Sequence, residues 1–195
     1  MSDDSVRAAL RSSARLVVIE APAGCGKTFQ GASYAREVAE DLSAGRPLVL
    51  THTHAACSVF SNGTAGCARR VEIRTIDSVI GAIASAYHIG LGLPADVATW
   101  IRSRNDGYSE VATKVANILE RYPMIAASLA RRYPVVICDE HQDSSADQHA
   151  IVMSLLAQGA RVRIFADPMQ SIFRDKGTGS IARAWDWETL KGEAQ

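Results

Sequence analysis

A doubly wound α/β fold follows from three features of the sequence: short apolar runs of strand length, helical periodicity between them, and a glycine-rich turn between the first run and the first helix. The runs are Leu16-Val17-Val18-Ile19, Pro47-Leu48-Val49-Leu50-Thr51, Val71-Glu72-Ile73, Pro134-Val135-Val136-Ile137-Cys138 and Arg161-Val162-Arg163-Ile164-Phe165. Several are continuously apolar rather than alternating, as a strand covered on both faces of a parallel sheet requires. Between the first two runs, Ala35, Val38, Ala39 and Leu42 recur at helical spacing, and Gly45 with Pro47 supplies a stop. A second helical stretch is predicted from His54, and a third before the last strand, where Ile151, Val152, Leu155 and Leu156 share one face.

From about Gly81 to Arg132 strand signals cease, and helices are punctuated by Gly90-Leu91-Gly92-Leu93-Pro94, Asn105-Asp106-Gly107 and Pro123. The reading is therefore one α/β domain over residues 1–80 and 133–195, with a small helical insert at 81–132. The 195 residues are 47% apolar and 22% charged, the composition of an ordinary globule rather than a disordered chain. With a formal net charge of zero, a basic nucleic-acid surface has to be local. Met1-Ser2-Asp3-Asp4 lacks the basic start of a secretory signal and no apolar run reaches membrane-span length, so a cytoplasmic location is expected. Cys25, Cys57, Cys67 and Cys138 follow no disulfide framework and read as reduced thiols; a metal site among His52, His54, Cys57 and Cys67 matches no closed zinc spacing.

The chemistry is carried by two strand ends. Ala21-Pro22-Ala23-Gly24-Cys25-Gly26-Lys27-Thr28 stands between a strand and a helix, the context of a phosphate-binding loop, with Ala21 where the first glycine is usual. Its backbone N–H groups and the helix dipole favour phosphate, Lys27 faces the β- and γ-phosphates of ATP, and the Thr28 hydroxyl is a ligand for Mg2+. In Cys138-Asp139-Glu140-His141-Gln142-Asp143 a buried strand delivers two carboxylates to the sheet edge at which ligands bind. Asp139 is placed for the Mg2+ shell, and Glu140 to orient and deprotonate a water. Gln170, just past the strand ending at Phe165, is the candidate sensor of the γ-phosphate. Cys25 is either a reactive thiolate beside Lys27 and a helix N-terminus, or a thiol packed under the loop.

These segments, with Leu50-Thr51-His52-Thr53-His54-Ala55-Ala56, Arg74-Thr75-Ile76-Asp77-Ser78 and Asp167-Pro168-Met169-Gln170-Ser171-Ile172-Phe173, occur in the order and spacing of UvrD-like superfamily 1 helicases. The chain resembles the first RecA-like domain of that family from about Leu16 to Phe173. The resemblance implies a P-loop ATPase that moves on single-stranded DNA, with the strand crossing near Thr51–Ala56 and Thr75–Ser78. It also implies a second RecA-like domain, in cis or in trans, supplying arginines to the γ-phosphate; no such domain is expected before Gln195. His52 stands where the family often has a stacking phenylalanine, Asp175 where it often has tryptophan, and no glutamine precedes Leu16 to read adenine. The alternative is a nucleotide-binding regulatory or interaction module that does not translocate.

Overall fold

The computed structural model describes residues 3–22, 24–167 and 185–194. Its centre is a five-stranded parallel sheet of β1 (Leu16–Glu20), β2 (Leu48–Thr51), β3 (Glu72–Thr75), β4 (Val135–Cys138) and β5 (Arg161–Ala166) in the order β1-β5-β4-β2-β3. Helices α1 (Asp3–Arg11), α2 (Lys27–Asp41), α3 (His54–Gly63), α4 (Ile76–Ala86), α5 (Val97–Arg102), α6 (Gly107–Arg121), α7 (Pro123–Arg132), α8 (Ala146–Ala157) and α9 (Trp187–Glu193) accompany it. This is the α/β arrangement expected from the strand and helix signals.

Two apolar clusters lie on opposite faces of the sheet, and the strands feed them alternately, as the two-residue period of a strand demands. Leu48, Leu50, Val136, Val162 and Ile164 join one cluster with residues of α4 to α8. Val17, Ile19, Val49, Val135, Ile137 and Phe165 join the other with residues of α1, α2 and α3. Val135, Val136 and Ile137 of β4 have no exposed surface, and burial of such a side chain contributes about 1.5–3 kcal/mol. Helices on both faces force every strand junction to the sheet edges, so the loops after β1, β2, β3 and β4 gather along one carboxyl edge.

Two expectations shift in extent. β3 begins one residue later than the apolar run and continues through Arg74 and Thr75, because its register with β2 carries Thr51 opposite Thr75. The helical segment begins earlier than residue 81, since α4 starts at Ile76 directly from β3. Its buried Ile83, Val97, Val111, Val115 and Leu119 belong to the same cluster as sheet residues, so these helices form part of the layer on one face.

Arg163 is a charged residue with no exposed surface, in the middle of β5. Its guanidinium donates to the carbonyls of Leu10 at 2.8 Å, Ala14 at 3.0 Å, Ser12 at 3.1 Å and Val162 at 3.1 Å. Carbonyls at the C-terminal end of α1 and in the turn after it thus receive donors, and the cation receives the acceptors that burial requires. Among the described residues, no helix is long and apolar enough to cross a membrane.

Candidate nucleotide and strand site

The turn from β1 into α2 holds Gly24 and Gly26 at φ 77° each. A Cβ at either position would meet nothing within 4 Å, so glycine is required there by backbone conformation, not by space. This left-handed pair turns the chain back over the first turn of α2 and leaves Lys27 6% exposed. The lysine Nζ donates to the carbonyls of Ala21 at 2.8 Å and Pro22 at 3.2 Å and lies 3.8 Å from Glu140 Oε1. The cation is therefore folded into the loop, with its charge held between carbonyl dipoles and a carboxylate. Ala23 and Gln170 lie outside the described residues; Ala21, Pro22, Gly24, Cys25, Gly26, Lys27 and Thr28 come together with Asp139 and Glu140.

Asp139 follows β4 and is 4% exposed. Its Oδ1 is buried without a hydrogen-bond partner, while the Thr28 hydroxyl bonds to the carboxylate. Burial, reinforced by the neighbouring Glu140 charge and opposed by Lys27, pushes its carboxyl up to about 6. An orphaned, destabilised carboxylate oxygen beside a threonine hydroxyl suits a divalent cation, which restores the missing partner. A donor set this small suits Mg2+, which keeps waters and phosphate oxygens rather than taking a full protein cage.

Glu140 adopts φ 50°, ψ 44°, the left-handed region that a non-glycine residue enters at a cost of about 1–3 kcal/mol. It is the one non-glycine residue with positive φ among those described. The conformation is held by the turn that follows, in which Asp143 N–H donates to the Glu140 carbonyl at 3.0 Å and Ser144 N–H to the His141 carbonyl at 3.0 Å. Gln142, a residue to which the sequence assigned no role, holds the side chain: its Nε2 donates to Glu140 Oε2 at 2.6 Å, and its Oε1 accepts from Asp167 N–H at 3.0 Å. One amide thus ties the Glu140 carboxylate to the end of β5, from which the segment carrying Gln170 departs.

A groove of about 600 Å³ opens beside this edge, lined by His52, His54, Arg74, Asp77, Arg102 and Tyr108 among others. Its floor is fixed by two helix caps: Thr53 accepts from Ala56 N–H at the start of α3, and Thr75 accepts from Ser78 N–H at the start of α4. Arg74 is held along one wall by the Ser78 hydroxyl at 3.1 Å and carbonyl at 2.8 Å. Tyr108 is 57% exposed and is an aromatic surface that no sequence motif had marked. At the rim, burial lowers the affinity of His52 for a proton, partly offset by Asp143, Asp77 and Glu140.

Cys25 is exposed, which removes the alternative of a thiol packed beneath the loop. Alkylation of the native chain is expected to label Cys25 and block nucleotide binding, with Mg-ATP protecting it. Peptide mapping that finds Cys57 or Cys67 labelled and Cys25 untouched contradicts this. Of the cysteines near His52 and His54 in sequence, Cys57 places its Sγ 3.1 Å from the Thr51 hydroxyl. Among the described residues no cluster of three or more histidine, cysteine, aspartate or glutamate side chains is disposed to hold a metal ion.

Comparison with known families finds a match over residues 97–179 to the UvrD/REP helicase N-terminal domain. That stretch runs from α5 through β5 and includes Asp139, Glu140 and Gln170. No curated protein matches the chain. The five-stranded parallel sheet flanked by helices is consistent with a RecA-like P-loop fold.

Proposed function

We propose that this chain, which carries a UvrD-like helicase N-terminal domain, binds Mg-ATP at the β1 and β4 strand ends and hydrolyses it to move on single-stranded DNA when completed by a second RecA-like domain, in cis or in trans. The observation that carries the reading is the convergence of Lys27, Thr28, Asp139 and Glu140, with a buried carboxylate oxygen of Asp139 left without a partner.

In this reading Lys27 exchanges the Ala21 and Pro22 carbonyls for phosphate oxygens, a trade of dipoles for full charges that favours the bound state. Thr28 and Asp139 hold Mg2+, which supplies fixed positive charge to the phosphate oxygens when bound. Glu140, freed from the lysine, orients a water and accepts its proton. Gln142 keeps that carboxylate aimed, and Gln170 senses the γ-phosphate. Single-stranded DNA lies in the groove lined by α4, α5 and the starts of α3 and α6, where Tyr108 offers a stacking surface in place of the phenylalanine that His52 replaces; such stacking contributes about 1–3 kcal/mol per base.

His52, half-buried and 3.3 Å from the Ser144 hydroxyl through Nε2, stands where the resemblance places a stacking phenylalanine, which favours a second reading: a nucleotide-binding regulatory module without translocation. ATP turnover by the native chain, measured with and without an oligodeoxythymidylate, separates the two. Stimulation by the strand supports the motor. Nucleotide binding with turnover indifferent to the strand selects the regulatory module.

A further inference from the structure

Every strand of the sheet starts beside an arginine. Along the order β1-β5-β4-β2-β3 these are Arg15, Arg161, Arg132, Arg46 and Arg70, each within three residues of the first residue of its strand. Arg131 and Arg69 directly precede two of them. Within the same distance of a strand start stands a single acid, Glu72, and it pairs with Arg46 at 3.2 Å. Acids gather at or just past the opposite, carboxyl ends, at Glu20, Asp77, Asp139, Glu140 and Asp143. A chain with a formal net charge of zero is thus polarised across its sheet, and the local basic surface that such a chain needs to hold a polyanion lies on the amino edge.

The backbone locks the row together. The Arg46 N–H donates to the Arg132 carbonyl at 3.0 Å, the Arg161 N–H to the Pro134 carbonyl at 2.9 Å, and the Val162 N–H to the Arg15 carbonyl at 2.7 Å. Neighbouring strands lie about 4.8 Å apart, so five of them space the arginines over about 19 Å. Arg15, Arg70 and Arg132 are exposed, and Arg46 and Arg161 are half-buried. The exposed guanidiniums rest on neutral groups: Arg15 on the Leu156 carbonyl near the end of α8, Arg70 on the Glu40 carbonyl at 3.4 Å near the end of α2, and Arg132 over the Tyr133 ring at 5.3 Å. Such contacts fix position without cancelling charge, and the five N–H donors of a guanidinium leave others for a ligand. The exposed carboxylates of Glu40 and Asp41 at the end of α2 oppose the row at its Arg70 end.

We infer that the amino edge of the sheet is a docking surface for the phosphate backbone of duplex DNA, separate from the nucleotide site and the groove at the carboxyl edge. Planar guanidinium forks match phosphate oxygens in pairs, which a row of lysines would not do. A single strand binds largely by stacking its bases on aromatic rings. The aromatic on this row, Tyr133, is 4% exposed and lies under Arg132, so the row reads backbone alone. A duplex carries a charge for every 1.7 Å or so of its axis, about 11 over the length of the row. A bilayer surface fits less well, because the exposed large apolar side chains, such as Ile89 and Met124, lie outside these strand starts and leave nothing there to insert. Contacts of this kind have no base preference; they hold the chain on a duplex by one edge while the other edge handles nucleotide.

Titration of a labelled mixed-sequence duplex of about 20 base pairs with the native chain, between about 50 and 200 mM salt, tests the surface. The parent's affinity is expected to fall with salt at a log–log slope of about −4 or steeper, as five phosphate contacts require. In the combined variant Arg15→Gln, Arg70→Gln and Arg132→Gln the slope should shrink by about 3 and the affinity fall about ten-fold or more. Mg-ATP and an oligodeoxythymidylate should each bind it within about two-fold of the parent. Each amide keeps an N–H for the carbonyls that Arg15 and Arg70 now hold, which spares the fold. Modification of the native chain by phenylglyoxal, mapped by mass spectrometry, needs no variant: the duplex should shield Arg15, Arg70 and Arg132, and Mg-ATP should not. An unchanged slope in the folded variant overturns the surface, as does equal modification of these arginines with and without the duplex. Equal losses for duplex and oligodeoxythymidylate, or tighter binding to phosphatidylglycerol vesicles than to the duplex, overturn the assignment to duplex DNA.

Discussion

Lys27→Ala is expected to weaken Mg-ATP binding by about 100-fold or more while the chain stays folded. The side chain is nearly buried, yet its hydrogen-bond partners are two carbonyls of its own loop, and its ion-pair partner is Glu140 at 3.8 Å. None of these is a contact on which the sheet or either apolar cluster depends, so truncation spares the fold. Each charge-assisted hydrogen bond to a phosphate oxygen contributes about 1.5–3 kcal/mol, so losing two accounts for a loss of that size. A second effect acts in the same direction. Lys27 is the largest influence holding the Asp139 carboxyl down against burial and Glu140. Without it Asp139 holds its proton to higher pH, and Mg2+ loses part of its ligand. Nucleotide titration with and without Mg2+, alongside thermal unfolding, measures both. Unchanged affinity in a folded Lys27→Ala chain rules out this loop as the phosphate site.

Those parts of the fold and of the candidate site whose requirements are local were legible in the sequence. Gly24 and Gly26 were legible because only glycine readily takes the left-handed backbone of the loop, and β4 because a strand covered on both faces must be continuously apolar. Asp139 and Glu140 were legible from their position after that strand. What the sequence concealed depends on partners far apart in the chain. Gln142 bonds a backbone group 25 residues away, and Ser144 meets His52 across 92. Neither has a periodicity or a turn signature. The left-handed backbone of Glu140 was hidden for the opposite reason: local preference argues against it, and the surrounding turn overrides that preference. Tyr108 gave no signal because an exposed aromatic at a helix start is ordinary until the groove beside it is known.

Glu140→Gln is expected to lower ATP turnover by about 100- to 10,000-fold, the range for removing a general base, while leaving Mg-ATP binding intact. The two effects separate because Glu140 and Asp139 occupy different positions relative to the proposed metal. Asp139 is the buried carboxylate with the unpartnered oxygen, whereas the Glu140 side chain is 40% exposed and faces Lys27 and Gln142. An amide at 140 keeps the length and shape of the side chain, pays the same left-handed backbone cost, and can still accept from Gln142 Nε2 through its oxygen. It cannot take a proton from water. It also removes a negative charge from beside Lys27, which frees that cation for phosphate, so nucleotide affinity should stay level or rise. The sign of the binding change is therefore diagnostic. If Glu140 instead held the metal, Glu140→Gln would weaken Mg-dependent binding together with turnover. Single-turnover hydrolysis and nucleotide titration on the same folded preparation decide between them, and hydrolysis within three-fold of the parent would mean that the proton goes to another group.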